Sequence, residues 1–186
     1  AFGLAAKWVE ASHKEQAEAA GYTVINDVAV FITHLSEIIK KRAHQILSRD
    51  DVFALLEIAK KKTPKLVEGI VPDIFSVAEI QKILQNLLAE RISVRNLQKI
   101  LQTLSLHAGK LHDLNQLTEL VRQSLAITIC MPHQGASGVL PVITLAPDTE
   151  YRLRQAILPD PTKPAVSLSP DFFQKVNMLK RLCHTR

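Results

Sequence analysis

Residues 76–104 read SVAEIQKILQNLLAERISVRNLQKILQTL, and the reading of this stretch decides the fold. Ser76 stands three residues before Glu79, the spacing of a capping box, in which the two residues satisfy each other's free backbone N–H groups at a helix start. Behind it Val77, Ile80, Leu84, Leu87 and Leu88 recur at helical spacing, so one stripe is buried. Ser93 is expected to begin a second helix with Val94, Leu97, Ile100, Leu101 and Leu104 inward, closed by Gly109. The second helix opens with Ser93, Arg95 and Asn96, residue types that can meet base edges in a major groove. The stretch therefore admits two readings, a structural helix pair or a DNA-reading helix-turn-helix. Against the second stand the turn ERIS, which lacks the frequent glycine, and Ser93, already engaged as a cap. No aromatic residue interleaves with the basic ones, so a single-strand stacking platform is poorly supported too.

Working outward, Asp113 opens a further helix carrying Leu114, Leu117, Leu120, Val121 and Leu125. Upstream, Ser48 and Asp50 offer caps to DVFALLEIAKKK, and Thr63-Pro64 starts a short helix ending near Pro72. Helices this closely spaced from about residue 50 to 126 are forced to pack on one another as a helical domain. Before it, Asn26 or Asp27 caps a helix running to Leu47. Its apolar positions Val28, Phe31, Ile32, Leu35, Ile38 and Ile39 predict a buried face. Residues 4–20 are rich in helix formers and end at Gly21, and YTVI (22–25) reads as a short strand. After Leu125 the β-branched runs ITICM and LPVITLA predict paired strands about the loop PHQGASG. Pro147 then starts a helix, LPDPTKP is an extended linker, and Ser169-Pro170 opens the last helix. The fold class is α+β, predominantly α-helical, with a central all-helical subdomain flanked by small α/β pieces.

The chain has 186 residues, 47% of them hydrophobic, and a formal charge of +5. That size and content suit a globular core rather than disorder. The opening Ala-Phe-Gly-Leu, with neither an initiator Met nor a charged region ahead of an apolar run, reads as an excised piece. No window approaches the roughly 20 consecutive apolar residues that cross a bilayer. Cys130 and Cys183 lack metal or redox spacing, which fits a reducing compartment without a bridge. The basic clusters Lys40-Lys41-Arg42 and Lys60-Lys61-Lys62 close predicted helices, where cations favour the negative end of the macrodipole.

Catalytic chemistry finds little support. Ser137 in GASG lacks the G-x-S-x-G elbow, because Val139 stands where the second Gly belongs, so the segment reads as a hinge or hairpin loop. The seven histidines are scattered without HExxH or zinc-ligand spacing, and His107 and His112 are expected to face water around Gly109. Six glycines leave little room for a nucleotide loop. No catalytic residue, metal or cofactor is expected.

Several spaced signatures occur in order: FGL followed by Trp8, GYTV, THLSE, PKLV with VP, and LQNLLAER-S-R. With these the chain resembles the cytosolic region of the type III secretion export gate family, flagellar FlhA and its virulence relatives of the LcrD, InvA and SctV type. A virulence-type member is expected. The match is good over residues 1–126, thins over 127–157 and says little of the tail. The resemblance implies a bacterial inner membrane protein with a membrane-embedded half outside this sequence and this part on the cytoplasmic side. It implies a non-enzymatic, homo-oligomeric nonameric ring that receives chaperone-substrate complexes and passes cargo to the export channel. The implied partners are sister subunits, chaperone-substrate complexes, the export ATPase complex and its stalk, and switch or gatekeeper proteins, with no nucleic acid. A basic helical DNA-binding module is the alternative.

By the same resemblance, residues 1–26 are the end of the second subdomain and 27–46 the returning helix of the first. Residues 47–126 are the all-helical, ring-forming third, and 127–186 part of an α/β fourth. Phe2 of FGL and Thr33 of THL match family positions in the chaperone and cargo cleft. A large apolar anchor and a small hydroxyl suit that task. Without the resemblance, Phe2 reads as capping a small core and Thr33 as bonding back to its own helix. Arg91, Arg95 and Lys99 are available for charge pairing across subunits.

Overall fold

The computed structural model describes residues 3, 5–109, 111, 113–142, 144–157 and 166–184, with 179–184 as backbone only. Phe2, His112, the linker LPDPTKP, Ile143 within LPVITLA, and the side chain of Cys183 lie outside what is described. The helices are α1 (Lys14–Ala19), α2 (Asp27–Ile46), α3 (Arg49–Lys62), α4 (Pro64–Glu68), α5 (Val77–Ala89), α6 (Leu97–His107), α7 (Leu114–Ser124), α8 (Ala126–Cys130), α9 (Pro147–Ala156) and α10 (Pro170–His184). The protein is predominantly helical. Among the described residues the one β pairing is an isolated bridge between Ile157 and Val166.

The chain divides into two compact units, residues 1–134 and 135–186. The core of the first is built from α3 to α7 and their connections: Val52, Leu56, Val67, Ile70, Phe75, Ile80, Ile83, Leu84, Leu87, Ile92, Leu97, Ile100, Leu101, Leu104, Leu117, Val121 and Leu125. Each long helix is started by a side chain. The Ser48 hydroxyl accepts from the Asp51 N–H while the Asp51 carboxylate accepts from the Ser48 backbone, and Ser76 with Glu79 repeats the arrangement. Asn26 caps α2, Asn96 caps α6 and Asp113 caps α7. Leu84 and Ile80 are buried as expected; Ile83 joins them, while Val77 and Leu88 are only half-buried.

α7 lies against both α5 and α6, and α5 also packs on α2 and α3. At the α5–α7 seam Asn86 Nδ2 donates to Thr118 Oγ1 at 3.2 Å, and that hydroxyl donates to the Leu114 carbonyl. The arrangement satisfies a hydroxyl that is 3% exposed and whose burial alone is unfavourable.

Five expectations are corrected. α6 begins at Leu97 rather than Ser93, because α5 ends in a Schellman turn that uses up the intervening chain. The Ile92 N–H donates to the Leu87 carbonyl and the Arg91 N–H to Leu88, with Arg91 at φ 60°. ITICM is helical, not a strand. The Leu125 and Ile129 N–H groups continue the hydrogen-bonded ladder, with Leu125 buried, so packing outweighs β propensity. YTVI and the described part of LPVITLA form no strand, and neither has a ladder partner among the described residues. Of the described residues 5–20 only a 3-10 turn (Ala11–His13) and α1 are helical, consistent with the cost of nucleating a short helix that buries nothing.

The fifth correction concerns α2. Its apolar stripe is not buried: Phe31 is 65% exposed and Ile32 57%. Its half-buried residues are Val30, Ser36, Glu37, Ala43 and His44, with Leu47 at its C-cap. These lie roughly a third of a turn around the helix from the apolar stripe, at about 100° per residue. Gln81 Nε2 and Gln85 Nε2 both donate to the Leu47 carbonyl, at 2.9 and 3.3 Å, seating that end of α2 on α5.

In the second unit, α9 and α10 begin at Pro147 and Pro170 as expected. The loop holding Ser137 is closed by hydrogen bonds from Gly135 N–H to the Val139 carbonyl and from Gly138 N–H to the Gly135 carbonyl.

Candidate docking and assembly surfaces

Thr33 sits on the exposed surface of α2. Three other helical or capping threonines, Thr63, Thr103 and Thr118, turn their hydroxyls back to the carbonyl four residues earlier. Thr33 does not, and its hydroxyl has no hydrogen bond among the described residues. The Thr33 hydroxyl is exposed on the flank of α2 that also carries Ser36 and Glu37, away from the apolar stripe of Phe31 and Ile32. Phe2, its expected companion, lies outside the described residues.

The three basic residues are not equivalent. Arg91, held in the left-handed region by the end of α5, reaches back to α2, its Nη1 3.6 Å from Glu37 Oε2. It pairs within its own chain. Arg95 and Lys99 are exposed, and among the described residues neither side chain forms an ion pair. Their backbones are engaged: the Arg95 N–H donates to Ser93 Oγ at 3.4 Å and the Lys99 N–H to Asn96 Oδ1 at 3.2 Å. This weakens the DNA-reading geometry. Ser93 and Asn96 are bound to backbone and precede the helix, leaving Leu97, Gln98 and Lys99 in its first turn.

Sequence reasoning missed two cross-links. Glu37 is only 24% exposed and is shared by Lys40, at 3.1 Å, and Arg91. Arg122 of α7 pairs with both Glu119 and Glu90, tying α7 to the end of α5. The i,i+3 spacings of Glu37 with Lys40 and Glu119 with Arg122 are visible in sequence, but their partners on other helices are not. His107, expected in a loop, is the last residue of α6 and half-buried. Among the described residues no group of three or more His, Cys, Asp or Glu side chains comes together. Cys130 is a free thiol. No helix among the described residues is long and apolar enough to cross a membrane.

The fold and surface define a helical module with a well-packed centre and uncovered apolar and charged faces. The FHIPEP family model matches residues 1–184, so the chain belongs to that family, the export gates of flagellar and type III secretion, and corresponds to part of their cytosolic region. It is 35% identical over 175 residues to the flagellar biosynthesis protein FlhA of Bacillus subtilis, covering 94% of this chain and 26% of that one. Its fold is similar to Chlamydia pneumoniae CdsV, with TM-score 0.82 and 28% identity over 96% of this chain and 52% of that one; CdsV has also been solved in complex with CdsO. The nonameric SctV-C of EPEC, at TM-score 0.72 and 26% identity, matches 92% of this chain and 53% of its own. The chain thus spans about a quarter of the FlhA relative and about half of the solved chains.

Proposed function

We propose that this chain is part of the cytosolic ring of a type III secretion export gate, a homo-oligomeric, nonameric assembly that receives chaperone-substrate complexes and passes protein cargo to the membrane channel. The reading is of a receptor and scaffold without catalysis, in a protein of the bacterial inner membrane with this part on the cytoplasmic side. The observation that carries it is the uncovered apolar stripe of α2, formed by Val28, Phe31, Ile32, Leu35, Ile38 and Ile39, with the exposed Thr33 on another flank of the same helix. Such a combination of apolar area and an unused polar group suits a protein partner.

In this reading residues 47–126 form the ring-making helical subdomain. Residues 1–26, 27–46 and 127–186 belong to subdomains completed by other parts of a longer chain. The YTVI and LPVITLA segments then find strand partners there, forming the small α/β flanks. Arg95 and Lys99 are offered to sister subunits, Phe2 and Thr33 to chaperone and cargo. The export ATPase complex with its stalk, and switch or gatekeeper proteins, are the further partners.

The test is electron microscopy and mass photometry of the full-length protein's cytosolic half, which gives ring particles that Arg95→Glu with Lys99→Glu reduces to monomers. Phe2→Ala and Thr33→Asp leave the rings and weaken chaperone-cargo binding at least about tenfold, some 1.4 kcal/mol. Duplex-DNA affinity that falls by decades between low and moderate salt would instead favour a DNA-binding module. A virulence apparatus is the setting expected from the sequence, while the higher identity to flagellar FlhA, 35% against 28% for CdsV and 26% for SctV-C, leaves the flagellar one equally in play. Loss of motility rather than of effector secretion on deletion assigns the flagellar one.

A further inference from the structure

We propose that Glu37 is a positioning residue, an ionic latch that sets the angle at which α2 stands on the helical core. α2 has no fully buried residue; its apolar contribution to the packing is limited to the half-buried Val30 and Ala43 and to Leu47 at its C-cap. At its C-terminal end the Leu47 carbonyl is gripped by Gln81 and Gln85. Ten residues earlier, nearly three helical turns away at about 1.5 Å per residue, the next polar tie to the core is the Glu37 carboxylate with the Arg91 guanidinium. Two ties at separate heights define an angle; one leaves a pivot.

Both partners are held for the task. Lys40 Nζ lies 3.1 Å from Glu37 Oε1 and leaves Oε2 to Arg91. Arg91 is anchored at its backbone by the two hydrogen bonds that end α5, so its side chain leaves the core from a fixed point toward α2. Glu37 is 24% and Arg91 59% exposed, so the latch is open to solvent ions. The part of α2 beyond the latch, which carries Val28, Phe31, Ile32 and Thr33, follows the angle that it sets. The inference stands whether or not Thr33 binds cargo.

Spin labels on His34→Cys and Gln116→Cys, both exposed, in the intact chain with Cys130→Ser and Cys183→Ser, report that angle as a distance distribution. The expected result is a narrow distribution at low ionic strength that broadens in 1 M salt, where the Debye length of about 3 Å is shorter than the ion-pair separation. Glu37→Gln and Arg91→Gln each give the broad distribution already at low salt. The exchange Glu37→Lys with Arg91→Glu restores the narrow one and its salt response. Far-UV circular dichroism verifies equal helicity. Glu37→Gln and Arg91→Gln distributions that superimpose on the parent at both salts, or an exchange that stays broad, overturn the proposal.

Discussion

α2 and α5 are both amphipathic, both start at a side-chain cap, and pack on each other, yet their apolar stripes meet opposite fates. On α5, Ile80, Ile83, Leu84 and Leu87 are fully buried between α3 and α7. On α2, Val28, Phe31, Ile32, Leu35, Ile38 and Ile39 remain exposed, while smaller and polar residues face the core. Periodicity states that a stripe seeks cover; it does not state whose. The fully buried residues of the core come from other helices and their connections, and the apolar stripe of α2 stays exposed in this chain.

The largest expected effect separates the two stripes. Leu84→Ala, at a position with no exposed area, costs about 2–5 kcal/mol, the range for deleting a core leucine without full collapse of the cavity. Ile39→Ala on α2, 49% exposed, changes the stability of this chain by no more than about 0.5 kcal/mol. Urea unfolding followed by circular dichroism checks both, and equal losses would break the comparison by showing α2 to be part of the same core.

A smaller loss is expected at the seam and the caps. Thr118→Val removes a buried hydroxyl that bridges Asn86 and Leu114, leaving the Asn86 amide without that acceptor, and costs about 1 kcal/mol in the same assay. Ser76→Ala removes the α5 cap and costs about 1 kcal/mol.

Most of what was legible before the structure lay in such local signals. Ser76 with Glu79, Asn26, Asp113, Gly21, Pro147 and Pro170 each mark a helix boundary through backbone chemistry that involves near neighbours alone. Where the outcome depended on residues distant in sequence, local signals failed. The β-branched ITICM is helical because Leu125 docks in the core, and α6 starts late because an arginine rather than a glycine takes the left-handed turn. The candidate site was legible only in part. Thr33 was singled out through a family motif, whereas its unbonded hydroxyl and the Glu37–Arg91 link depend on placement in space.

The Ser48 cap of α3 adds a pH dependence that α5 and α2 can be compared against. The Ser48 hydroxyl, then its backbone N–H, donate to the Asp51 carboxylate and hold its pKa below the ordinary carboxylate value. A folded pKa below the unfolded one, about 3.9, means that the contribution is present above that pH and is lost as pH falls through the folded value. NMR titration of the Asp51 side chain should show the lowered midpoint, and Ser48→Ala should return it toward the ordinary range. A midpoint unmoved by Ser48→Ala would remove the capping box as its cause.

The smallest expected effect has the opposite sign and lies where the two helices meet. Arg91 occupies a left-handed position, φ 60°, that glycine takes without steric cost. Arg91→Ala removes the charge that reaches Glu37 and keeps a Cβ in the strained position; Arg91→Gly removes the charge and the strain together. The difference between the variants therefore isolates the backbone. Glycine should be the more stable by about 0.5–1 kcal/mol in urea unfolding, although in a helix interior the same pair ranks the other way. The loss of the exposed ion pair is common to both and cancels. If alanine is equal or better, the Schellman turn does not constrain Arg91 as its hydrogen bonds indicate, and the guanidinium loses the fixed point from which it reaches α2.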